Sequence, residues 1–172
     1  MIRTVVTDVV VFAVAKFQYI SLLELWIQFG VERRLKSLPA HDKSRSIGKE
    51  KSQAFLAFHH FTGCAKKTAW EVWGAFDDVT AAFQVFSNVP RVDAVDEAMP
   101  ILERYVTIVY NRTSTCMKVN DARKDLFTRK ERDIKAIPPT SDALRQHAEV
   151  HVPDWPLLGQ LLGSVSSVSM SK

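Results

Sequence analysis

The sequence predicts an α/β chain in which a small sheet with a hairpin is followed by a mainly α-helical C-terminal half. Three observations lead there. Val and Phe dominate the first segment, two apolar stretches flank Gly30, and from Ser46 onward apolar residues recur at three- and four-residue steps.

Taken in order, residues 2 to 17 read as strand by local propensity, although so short an apolar run also fits a buried helix with Asp8 at its N-cap. The segment Glu24-Leu-Trp-Ile-Gln-Phe29 and a second around Arg34 to Leu38 predict the hairpin about Gly30, ended by Pro39. Ala54, Phe55, Phe58 and Phe61 then form the stripe of a helix that should stop at Gly63. Trp70, Trp73, Phe76, Val79, Phe83 and Phe86 continue as two short helices, divided where Asp77 or Asp78 can cap the second. Leu102, Val106 and Val109 carry another, with Pro100 expected in its first turn, where no backbone donor is needed. Residues 119 to 130 and 140 to 149 read as two more, the latter capped by Thr140 or Ser141 after Pro138-Pro139. From His151 the composition turns to Pro and Ser, which predicts a mobile tail over 151–172 beyond one domain of 1–150.

Bulk properties narrow the function classes. A chain of 172 residues that is 47% apolar can bury one substantial core. The net charge of +4 mildly favours an anionic partner. Cys64 and Cys116 are too few for a disulfide framework, which points to a reducing, intracellular compartment. Val9 to Ala15 is far shorter than the roughly 20 apolar residues of a membrane span, and Asp8 just ahead of it argues against a secretory signal, so no membrane partner is expected.

Few residues suggest chemistry. Two-metal phosphodiester cleavage needs several carboxylates around ions about 4 Å apart, and in Thr4-Val-Val-Thr-Asp8 the acid stands alone. In Phe58-His-His-Phe-Thr-Gly-Cys-Ala-Lys-Lys-Thr-Ala-Trp70, Gly63 can supply an unusual backbone angle while Lys66, Lys67 and Thr68 open the next helix, a turn able to hold a phosphate. Lysine is otherwise disfavoured at a helix start, and this local conflict hints at function; a plain helical corner with solvated lysines fits the same residues. His60 and Cys64 are four apart, but no second ligand pair with zinc spacing follows. Cys116 lacks a partner motif and reads as a buried, inert thiol. Lys118 to Arg132 interleaves six basic residues with acidic ones, the pattern of a solvated helix face with modest support for nucleic-acid contact.

Several of these stretches together resemble a group of animal proteins derived from mobile elements, whose core looks like the PIN and flap-endonuclease nuclease fold. The motifs are Val6-Thr7-Asp8 with its apolar sequel, Phe58-His-His-Phe-Thr-Gly-Cys64, Lys66-Lys-Thr-Ala-Trp70, Leu102-Glu-Arg-Tyr-Val106, Tyr110 to Phe127 and Ile137-Pro-Pro-Thr140. The resemblance covers about residues 3 to 150. It implies a helix rather than a strand after Asp8, with Asp8 at the edge of a metal pocket, and nucleic-acid contact at Gly63, Lys66, Lys67 and Thr68.

The departures matter as much. Val6 stands where the pattern has its first acid, the acid after Gly63-Cys64 is missing with its loop, and the fold's N-terminal part is absent. Each lost carboxylate removes a metal ligand, so Asp8 alone should hold Mg²⁺ poorly. The expectation is therefore a truncated, degenerate PIN-like domain with no cofactor, not a competent enzyme, which binds DNA or RNA weakly. Two alternatives remain: a Mg²⁺-dependent nuclease completed by Asp42, Asp77, Asp78 or a partner chain, and a protein-interaction module using its Trp and Phe stripes.

Overall fold

A computed structural model describes residues 1–31, 34–61, 66–87, 92–128 and 137–150. It is mixed α/β and mainly helical, with one three-stranded sheet. The expected tail at 151–172 lies outside the described residues.

β1 (Ile2–Thr4) pairs in parallel with β2 (Trp26–Phe29), Ile2 opposite Ile27 and Thr4 opposite Phe29. A parallel pair needs a crossover, and α1 (Thr7–Lys16) lies in that connection. Strand propensity for residues 9 to 17 is thus overridden, as the family resemblance implied. The reason is burial: Val11, Phe12, Ala13, Val14 and Ala15 are consecutively buried, so the helix is enclosed on all sides. Some of these residues pack with Ile27 and Ala40, others with Leu56.

The hairpin is present. β2 pairs antiparallel with β3 (Lys36–Pro39), Ile27 opposite Leu38. Its connection is longer than the short turn expected, because Gly30 first extends the β1–β2 pairing by donating to the Thr4 carbonyl at 3.1 Å. Gly30 sits at φ 116°, and a Cβ there would stand 2.5 Å from the Arg34 carbonyl oxygen, so only glycine fits.

α2 (Ala40–Ile47) begins directly after Pro39, a helix that the apolar periodicity did not announce. It is polar, and its anchor is a histidine. Buried His41 places Nδ1 3.2 Å from the Leu25 amide and 3.1 Å from the Leu25 carbonyl oxygen, with the Trp26 ring edge-on at 5.4 Å. Gly48, at φ 86°, turns the chain into α3 (Lys49–Phe61), and buried Ser52 donates to the Ser44 carbonyl at 3.0 Å to close the corner.

The helical half holds the main core. α4 (Lys66–Ala75) and α5 (Val79–Ser87) are the two short helices predicted. α6 (Val92–Tyr110) differs from expectation: it starts earlier, so Pro100 lies inside the helix rather than in its first turn. Apolar positions at helical spacing ahead of the proline, Val95, Ala98 and Met99, are buried, and that packing outweighs the lost backbone hydrogen bond. α7 (Val119–Thr128) and α8 (Ser141–Val150) follow. Glu103 accepts the Val119 amide at 3.1 Å at the start of α7, and Thr140 Oγ1 accepts the Ala143 amide at 3.1 Å as the expected cap of α8.

Most of the Trp and Phe stripe faces inward, with Trp70 exposed at its edge. Trp73 is 1% exposed, stacks near Phe58 at 4.8 Å and Phe83 at 5.2 Å, and donates its indole N–H to Thr80 Oγ1 at 2.8 Å. Phe58, Trp73, Phe83 and Phe86 are core side chains, so their rings are spent on the interior. Phe55 packs against all three apolar clusters and joins the sheet end to the helical half.

Candidate functional site

Two places hold the residues singled out by the sequence. The first is the start of α1, beside the C-terminal ends of β1 and β2. Asp8 is not the helix cap: Val6 occupies that position without a side-chain hydrogen bond, and Asp8 lies one residue inside the first turn. There the helix dipole favours an anion.

Its carboxylate has a partner 51 residues away. His59, in the last turn of α3, brings Nε2 to 3.0 Å from Asp8 Oδ1, donating when that nitrogen carries the proton. The two groups suit their own helix ends, the acid at a positive N-terminus and the imidazole at a negative C-terminus. The His59 side chain is 15% exposed and the Asp8 side chain 68%, so the pair is anchored from the histidine side and screened by water on the other. The zinc spacing considered from the sequence pairs His60 with Cys64, which lies outside the described residues. The signal for His59 was its place in the last helical turn, which says nothing about which acid it meets.

A magnesium site needs several oxygen ligands, and this pair supplies one carboxylate and a nitrogen. Among the described residues no three His, Cys, Asp or Glu side chains converge in a way that could hold a metal ion. Asp42 faces His41 and Arg45, at 3.5 and 3.8 Å, and Asp77 pairs with Lys51 at 2.8 Å. Asp78 is exposed after α4. The donor set at Asp8 therefore does not fit a nuclease metal centre.

The second place is the start of α4. Gly63 lies outside the described residues; Lys66, Lys67 and Thr68 form the first turn of α4, with both lysines exposed and Thr68 half-buried. That turn carries no acidic residue, and neither lysine has an ion pair among the described residues. The helix behind them is held firmly. Ala69, Val72 and Trp73 are buried, Tyr105 donates its hydroxyl to the Ala69 carbonyl at 2.9 Å, and Arg112 pairs with Glu71. Burial pushes the Tyr105 phenol well above its ordinary pKa. Asp8 makes no hydrogen bond or ion pair with Lys66, Lys67 or Thr68.

Cys116 is half-exposed rather than buried, and its carbonyl, with that of Ser114, accepts the Arg104 guanidinium at 2.8 and 2.7 Å. No helix among the described residues is long and apolar enough to cross a membrane.

The chain matches no family model, no curated protein and no solved structure.

Proposed function

We propose that the chain is a remnant of a PIN- or flap-nuclease-like domain that binds nucleic acid without cleaving it. The observation that carries this reading is the pair of exposed lysines, without an ion pair among the described residues, on a well-anchored helix start, where backbone N–H groups and the helix dipole add to two ammonium charges. A lysine at the positive end of a helix is mildly unfavourable by itself, and a bound phosphate relieves that conflict. The loss of catalysis rests on the donor set: Asp8 hydrogen-bonded to His59 offers too little anionic charge for Mg²⁺.

The test is fluorescence anisotropy with labelled DNA and RNA at several salt concentrations, with Mg²⁺ present and the products run on a gel. Binding should weaken with salt, and Lys66→Glu with Lys67→Glu should weaken it further while lowering the salt slope by about 2. The substrate should remain intact. Equal binding by the double variant removes the assigned surface. Mg²⁺-dependent cleavage abolished by Asp8→Asn revives the nuclease reading.

A further inference from the structure

One face of α7 is built unlike the rest of the helix. Val119, Ala122 and Leu126 are buried and fix it to the body of the protein. The opposite side presents Asn120, Arg123, Lys124, Phe127 and Thr128, spaced as one helical face, around an open groove of about 540 Å³. Phe127 is 73% exposed, a large aromatic surface that folding does not use. A cation, Lys124, stands one turn before it, and an amide, Asn120, about two turns before it. The Lys124 side chain is 81% exposed and only 3.8 Å from the exposed Asp121, a contact worth little in water. Arg123 is half-buried and donates to the Pro138 carbonyl, which steadies the rim. Asn120 accepts the Ser141 amide through Oδ1 at 3.0 Å, and its NH₂ has no partner among the described residues.

An exposed ring with a cation one turn away and an amide donor a further turn along the same face is a set of groups that a strand of nucleotides satisfies: a base laid on the ring, a phosphate near the ammonium, and an acceptor of a neighbouring nucleotide for the amide. In a duplex the base faces are already covered by their neighbours; in a single strand they are open. We propose that this face of α7 is a stacking site for single-stranded nucleic acid. The inference rests on the nucleic-acid reading above and narrows it to strands with open bases.

The experiment measures binding of the full chain to labelled oligodeoxythymidylate and oligouridylate of about 12 nucleotides, with a duplex as comparison. Because Phe127 is exposed, Phe127→Ala should fold normally, which circular dichroism checks. It should lose about five- to hundred-fold in affinity for both single strands, in line with the range found for one stacked base, and change duplex binding little. Phe127→Trp should retain single-strand binding, and Lys124→Glu should weaken it in a salt-dependent way. If Phe127→Ala binds single strands as well as the parent chain, the stacking site is wrong even where Lys66 and Lys67 still matter. If no variant and no parent chain binds any strand, both readings fall together.

Discussion

The sheet end and the helical half are stabilised in different ways. In the helical half, rings meet rings: Phe58, Trp73, Phe83 and Tyr105 are all buried, linked at 4.8 to 6.1 Å, and the two polar ring atoms in the cluster, Trp73 Nε1 and Tyr105 Oη, both have acceptors. In the sheet end the buried set is smaller and mostly aliphatic, Val14, Leu25, Ile27 and Ala40 around a buried phenylalanine, Phe17. Around it Val5, Val6, Leu22, Leu23, Trp26 and Val31 are exposed. Short strands with little buried area cannot stand alone, so the sheet borrows its stability from α1, α2 and Phe55. The helices form the frame, and the sheet is carried on it.

The largest expected effect tests this directly. Trp73→Ala should destabilise the whole chain by about 3–5 kcal/mol in urea unfolding, because it opens a cavity amid rings that cannot collapse into it. Ile27→Ala should cost about 2–4 kcal/mol, and hydrogen exchange should find the amides of β2 and β3 opening before those of α6. Equal protection in the two regions would break the comparison.

A smaller effect separates the regions by pH. Tyr105 has its phenol pKa raised by burial above the ordinary 10.0, so the folded chain keeps a proton that the unfolded chain releases. Its contribution is complete below about pH 10 and is lost as pH rises further. Tyr105→Phe should cost about 1 kcal/mol at neutral pH through the lost hydrogen bond to the Ala69 carbonyl, and should flatten the alkaline fall in stability. Thermal melts from pH 8 to 11 would check it.

The smallest effect belongs to the sheet end. Lys16, at the end of α1, has its pKa lowered from 10.5 by burial, so the unfolded chain holds the proton more tightly and stability rises as pH climbs toward that value. Lys16→Met should be neutral or slightly stabilising near neutral pH, and should remove that rise. A clear loss instead would mean that the ammonium over the Tyr19 ring, 5.5 Å away, matters more than its desolvation.

Legibility in the sequence follows the same division. Periodicity located α4, α5, α7 and α8 because their buried faces are large and regular. It missed α2, whose residues are mostly polar and whose anchor is one buried histidine hydrogen-bonded to a loop. Local propensity alone misread α1, since five consecutive buried residues look the same to a strand and to an enclosed helix. At the candidate sites, Lys66 and Lys67 were visible because their position conflicts with the helix dipole. His59 was not, because its meeting with Asp8 depends on how α1 and α3 cross. Phe127 was visible only as part of a motif, and its exposure had to be seen in three dimensions.

Pro100 stands eight residues into α6, the longest helix described. Its ring denies the Asp96 carbonyl the amide it would otherwise receive, and Asp96 is also where the Arg145 side chain of α8 attaches. The helix runs unbroken through this point, one backbone hydrogen bond short, and α8 supplies a cross-brace at the same residue. Within the helical half, the turn ahead of Pro100 is therefore tied down by side chains, Val95, Ala98 and Met99 in the core and Asp96 to Arg145, where the backbone alone would let it fray.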